Sequence, residues 1–354
     1  MNDKEEMKKF LKELIALPGI SGYEEPVRNR IEREWKPLTD QIFVSKIGNL
    51  YGLKKGCGSG KKILLATHMD GIGMIIQRIA DEMLYFAPVG GFDPRILPGQ
   101  FVTIHTKRGD IPGLIVQPPS FLLSHSESKE PVPMDELAID TGFTAKEVKE
   151  MVQIGDTVSY ATIPTDMETD CVAGHSLDNR TSITALTECL KELQHIKHEW
   201  DVYAVSTVQE EVSYLGGHTA PYDIRPDAAI AIDVTFASGP GASGWKVKPL
   251  ESGPALGYGA NIHPAFYKAF KNLAEELAIP YTNDPMPGMS GTDGCPIQVT
   301  MNGIPTMVIS IPLRYMHTPV EVISMKDVML TGHLMAEFIA RMDDSFMQKM
   351  VWED

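Results

Sequence analysis

The chain has little of what marks secreted, membrane-bound or nucleic-acid-binding proteins. Its four cysteines, Cys57, Cys171, Cys189 and Cys295, stand far apart with no C-x-x-C pair, which argues against a disulfide framework and for reduced thiols. No apolar run approaches the roughly eighteen residues of a membrane span. The charged opening Met-Asn-Asp-Lys-Glu-Glu-Met-Lys-Lys has no signal-peptide apolar segment behind it, so a cytoplasmic protein is expected. Basic residues are short: 32 Lys and Arg against 47 Asp and Glu give a formal charge of −15, which disfavours nucleic acid and anionic membranes as partners. Neither a G-x-x-x-x-G-K-[ST] phosphate loop nor a G-x-S-x-G nucleophile elbow occurs.

What is present is a chain of 354 residues, 43% hydrophobic and 22% charged, long enough to bury a large core in more than one domain. Met7, Phe10, Leu11, Leu14 and Ile15 fall at helical spacing and Pro18-Gly19 stops the pattern, so a helix is predicted over 3–17 and a second from Glu24 past Arg33. Strands are predicted at 42–53 and 62–67. Between about 72 and 165 short alternating stretches are punctuated by Pro and Gly, which reads as a small β-rich insert. A βα rhythm then resumes: helix 178–196, strands 202–208 and 228–232, helix 264–277, strand 305–311 and helix 325–341. The predicted fold is therefore α/β, with a mixed, largely parallel sheet flanked by helices. Residues 1–71 and 166–354 form one discontinuous domain interrupted by the insert at 72–165. Segments 124–130 and 239–243 read as loops.

The adjacent carboxylates Glu210-Glu211 follow an apolar β-like run, and three further runs lead to His68 and Asp70, to Asp233 and to His317. Buried strands of an open α/β sheet bring such groups to one edge, at their carboxyl ends. Asp178 stands near the start of a predicted helix and joins them. Two His and three or four carboxylates suffice for two divalent metals. Asp70, two residues after His68, can fix the imidazole's tautomer. If Glu210 and Glu211 are extended they point in opposite directions, so one can bind metal while the other takes a proton from a metal-activated water. Each residue alone reads as well as a turn former, a helix cap or a surface group; their joint placement favours the metal site. His105, His125, His175, His195, His198, His218, His263 and His333 lack a paired ligand pattern.

Seven motifs in this order resemble the M42 family of dinuclear metallo-aminopeptidases: Leu-Pro-Gly-Ile-Ser-Gly-Tyr-Glu (17–24), Thr-His-Met-Asp (67–70), Leu-Asp-Asn-Arg (177–180), Val-Gln-Glu-Glu-Val (208–212), Ile-Asp-Val-Thr (232–235), Gly-Thr-Asp-Gly (291–294) and Pro-Leu-Arg-Tyr-Met-His-Thr-Pro-Val-Glu (312–321). The resemblance implies a zinc-peptidase-type fold and two Zn²⁺ or Co²⁺ ions. It makes His68, Asp178 and Asp233 ligands of one metal and Asp178, Glu211 and His317 ligands of the other, with Glu210 as general base and Asp70 behind His68. It also implies a non-proline cis peptide after Asp178, and an insert that mediates dimerisation, with dimers building shells up to a dodecamer. Gly71 and Ser213 depart from the family's usual Glu and Gly.

The expected activity is removal of the N-terminal residue from short peptides, with Arg314, Gly291 and Thr292 at the substrate pocket. Two other readings share the sequence: a deacylase or amidase acting on a non-peptide substrate, and a catalytically silent assembly or binding protein.

Overall fold

Period-two alternation divides each central strand between two cores. In the strand Lys62–His68, Ile63 and Leu65 face one hydrophobic cluster while Leu64 and Ala66 face another, as a pleated strand buried on both sides requires. This strand pairs in parallel with Asp201–Thr207 on one side and Ala228–Phe236 on the other, and Ala228–Phe236 pairs in parallel with Thr306–Arg314. The four aliphatic runs thus form the parallel centre of an 11-stranded mixed sheet. Both flanks are antiparallel: Leu50–Lys54 and Gln41–Val44 at one edge, and Glu321–Ser324, Cys171–Gly174 and Thr165–Asp166 at the other. The computed structural model describes residues 3–58, 60–122, 131–350 and 352; the loop predicted at 124–130 lies outside the described residues.

The larger core packs helices Asp3–Ile15, Leu177–Glu192 and Met325–Ala340 against one face, around Phe10, Leu14, Trp35 and Trp200. The smaller lies under helices Leu215–Ile224 and Gly294–Gln298, whose Ala220, Ile224 and Ile297 meet Leu64, Ala66, Val205 and Ala229. No helix among the described residues is long and apolar enough to cross a membrane.

Six strands between Gly73 and Tyr160 close into a separate small barrel with its own core of Met74, Ile76, Leu84, Val102, Ile104, Ile115 and Val158. It falls within the stretch predicted as a β-rich insert. The barrel also carries a short helix, Ala145–Met151, which the Pro- and Gly-punctuated texture did not reveal. Its signal is local: Thr144 accepts from the Glu147 amide while Glu147 accepts from the Thr144 amide, a capping box.

Helices Leu177–Glu192 and Met325–Ala340 approach closely because residue 332 is glycine. A Cβ there would stand 2.6 Å from the Ala185 carbonyl oxygen and 2.8 Å from the Glu188 Cβ. Glu188 is caught in this contact: its Oε2 is buried without a hydrogen-bond partner. Burial, and then the charge of Glu192, raises its pKa from 4.5 to about 7. The folded state therefore favours the neutral acid, and the stability it contributes is full below pH 4.5 and lost as pH rises through about 7. Glu188→Gln is expected to raise the melting temperature at pH 8 and leave it nearly unchanged at pH 5. Calorimetry at both pH values checks this; an equal shift at both would contradict it.

Candidate metal centre

The sheet register brings the site together. Pairing of Ala231 with Ala66 sets Asp233 level with His68 on the neighbouring strand, and pairing of Thr207 with His68 starts the segment leading to Glu210 and Glu211 at the same edge. His68 is the last residue of its strand, as predicted. Asp233 is not a strand end, because pairing with Thr306–Arg314 continues to Phe236. Asp178 enters from the start of helix Leu177–Glu192, where its backbone is extended (φ −77, ψ 105) and the bond to Asn179 is cis. The Asn179 side chain donates to the Ile232 carbonyl at 3.0 Å, tying this turn to the Asp233 strand. His317 follows the strand Thr306–Arg314 in a left-handed conformation, φ 60.

These side chains make two groups. His68, Asp178 and Asp233 offer ligand atoms mutually within 4.8 Å, and so do Asp178, Glu211 and His317. His68 Nε2 lies 3.2 Å from Asp178 Oδ1 and 3.8 Å from Asp233 Oδ1, while His317 Nε2 lies 3.4 Å from Asp178 Oδ2 and 3.2 Å from Glu211 Oε2. Ligands about 2.05 Å from a tetrahedral zinc stand roughly 3.3 Å apart, so the spacings fit an ion at the centre of each group. Asp178 turns one oxygen to each group and can serve both. The donor set, imidazole nitrogen and carboxylate oxygen, suits zinc or a neighbouring transition metal.

Other carboxylates hold these groups in place. The Asp70 side chain accepts from the amides of Glu210 and Glu211 at 3.1 and 3.2 Å and from the Ser21 hydroxyl at 2.6 Å. Its Oδ1 is 3.4 Å from His68 Nδ1, but the nearer acceptor is its own backbone carbonyl at 3.1 Å. Asp70 therefore orients three site residues, where the sequence assigned it one. Glu210 and Glu211 are not extended: Gln209 turns left-handed (φ 56) and both glutamates sit on the one-turn helix Glu210–Ser213. The opposite-facing arrangement expected of a strand is replaced by adjacent positions on a helical turn whose first amides Asp70 caps. Two residues without a predicted role do similar work. Buried Glu321 accepts from the amides of Asp178 at 3.2 Å and His317 at 2.8 Å, gripping a ligand from each group. Asp293, also buried, accepts from Thr207 Oγ1 at 2.5 Å, at the end of the strand that leads to Glu210. Their signal was there: Glu321 closes the motif 312–321 and Asp293 stands in the motif 291–294, each the one carboxylate of its motif.

The electrostatics record the crowding. Burial, then the charges of Asp233, Asp293 and Glu211, pushes Glu210 up to about 10 against the opposing pull of His68, and burial likewise raises Glu211 and Asp233. Burial would lower the imidazoles, but Glu210 and the hydrogen bonds of Asp178 and Asp233 raise His68, and Asp178 and Glu211 raise His317 to about 11. Asp178 is held low by both imidazoles despite its burial. Four carboxylates, Asp178, Asp233, Glu210 and Glu211, thus share one small volume, and two divalent cations would balance them.

A cavity of about 560 Å³ opens onto both groups, lined also by Tyr214, Phe236, Asp284, Met286, Met316, Gly291 and Thr292. Gly291 and Thr292 were expected there. Arg314 does not line it; its Nε donates to the Ser238 carbonyl at 2.7 Å. The barrel contributes Gly91, where a Cβ would stand 3.1 Å from His317 Nδ1. Gly71 is fitted to its surroundings too, since a Cβ there would lie 2.5 Å from Ser176 Oγ.

The sequence pattern of the M42 glutamyl aminopeptidases matches residues 48–334. A lysyl aminopeptidase of Pyrococcus furiosus is 33% identical over 324 residues, covering 90% of this chain and 92% of that protein. Among solved structures, an aminopeptidase from the archaeon Desulfurococcus kamchatkensis superposes with a TM-score of 0.92 at 31% identity, covering 99% of this chain and 98% of that one. The TET1 peptidase of Pyrococcus horikoshii, which can assemble into a tetrahedron or a large octahedral shell, matches with a TM-score of 0.83 at 31% identity over 95% of this chain and all of that one. With the motif order, the mixed sheet, the barrel and a match over most of its length all in agreement, this chain belongs to the M42 family of aminopeptidases.

Proposed function

We propose that this chain is a cytoplasmic, dinuclear metal-dependent aminopeptidase that releases the N-terminal residue of short peptides. The observation that carries the reading is Asp178 shared between two three-residue ligand groups, with Glu210 beside them in the same cavity. Two bound divalent ions, zinc or cobalt, would acidify a water and polarise the scissile carbonyl. Glu210, outside both ligand groups, takes the proton of the attacking water and returns it to the leaving amine. Asp70 and Glu321 fix the ligands and the Glu210–Glu211 turn. Gly291 and Thr292 border the bound peptide.

Self-association through the insert fits the exposed apolar residues Phe101 (69% exposed) and Ile154 (69%) in the barrel and Ile163 (80%) just after it, and the shells that the Pyrococcus horikoshii relative forms. The assembly is expected to range from a dimer to a dodecamer.

The test is a panel of aminoacyl p-nitroanilides assayed with Zn²⁺ or Co²⁺, each with a free and an N-acetylated amine. Turnover is expected for the free amines and its loss on acetylation. Hydrolysis of the blocked substrates at similar rates would point to an amidase, and no turnover of any free amine with two metals bound would point to a silent scaffold.

A further inference from the structure

Besides Glu210, one carboxylate of the cavity belongs to neither ligand group, and it takes no part in the proton transfer proposed above. Asp284 lies on the strand Thr282–Met286, where alternation sets it on the same face as Met286, and both line the cavity. Its Oδ1 is 3.3 Å from the ammonium of Lys248, whose side chain is 5% exposed and does not line the cavity. Lys248 is anchored from behind: its ammonium also donates to the Trp245 carbonyl at 3.3 Å, and its backbone amide to the Phe236 carbonyl at 2.8 Å. Seen from the cavity, the carboxylate stands in front and the ammonium behind. The nearby cavity walls, Phe236, Met286 and Met316, are apolar.

On the aminopeptidase reading above, we infer that Asp284 is a specificity-determining residue that selects peptides whose N-terminal side chain is long and cationic, lysine or arginine. An aliphatic side chain filling the cavity would strip water from Asp284 and return nothing to it, which costs binding in every encounter. An acidic side chain would meet a like charge before it could reach Lys248. A lysyl or arginyl side chain packs its methylenes on Phe236, Met286 and Met316 and brings a second cation to the carboxylate, which Lys248 only partly satisfies through one oxygen. Lys248 then acts as a positioning residue that also tempers the selectivity.

The experiment measures kcat/KM for Lys-, Arg-, Leu- and Glu-p-nitroanilide on the metal-loaded enzyme and on the Asp284→Asn and Lys248→Met variants. Lys and Arg are expected to exceed Leu, with Glu lowest. Asp284→Asn should lower the Lys-to-Leu ratio about tenfold, and Lys248→Met should raise it. If the ion pair were only a structural clamp, both variants would scale all four substrates alike, and that result overturns the inference. So does a parent enzyme that prefers Leu or Glu, although the aminopeptidase reading would stand in that case. Absence of turnover on all four free-amine substrates would instead remove the aminopeptidase reading itself, and this inference with it.

Discussion

Glu210→Gln is expected to lower kcat by about 10²–10⁴-fold, the usual worth of a positioned general base, while the protein still binds two metal ions. The two results belong together because Glu210 is in neither ligand group although its Oε2 is 3.8 Å from His68 Nε2. Glutamine keeps the volume and the backbone amide that Asp70 Oδ1 holds, so the turn carrying Glu211 stays in place. What it loses is the ability to take a proton. Turnover is followed with a free-amine substrate and metal content by elemental analysis of the same sample. A variant that keeps both activity and metals would show that another group moves the proton. A variant that loses its metals would show that Glu210 is a ligand.

Asp178→Ala is expected to remove metal from both positions, whereas Asp233→Ala should empty only one. Asp178 alone contributes an atom to each group, so its loss leaves His68 with Asp233 on one side and Glu211 with His317 on the other, two ligands apiece. Outer residues that merely orient a ligand are worth about 10–100-fold in metal affinity, and a shared direct ligand is worth at least that at both positions. Metal content after gel filtration should fall from two per chain toward zero in Asp178→Ala and toward one in Asp233→Ala, with peptidase activity lost in the first. Equal metal loss in the two variants would contradict the shared role.

The sheet was legible in the sequence because its central strands are buried on both faces and so read as unbroken aliphatic runs ending at polar residues. His68 was placed correctly for that reason. Asp233 also reaches the site as expected, but the end of its strand was misjudged, since hydrogen bonding to the Thr306–Arg314 strand carries it to Phe236, and such pairing depends on a partner about eighty residues away in sequence. The backbone at Gln209 was equally hidden: a left-handed residue there turns a strand into a helical turn, and no local glycine announces it. Asp70 looked like a partner for its near neighbour His68, because sequence distance was the available guide. Its contacts with the amides of Glu210 and Glu211 span some 140 positions. Glu321 and Asp293 were passed over on the same ground, since their roles consist of bonds to Asp178, His317 and Thr207. Arg314 was expected at the substrate pocket, yet its Nε donates to the Ser238 carbonyl, a contact 76 positions away in sequence.

Anomalous diffraction at the zinc edge, from crystals of the chain grown with zinc, locates the bound ions themselves. Two peaks per chain are predicted, one bounded by His68, Asp178 and Asp233 and the other by Asp178, Glu211 and His317, with Asp178 touching both. A single peak, or peaks away from these side chains, would contradict the dinuclear centre.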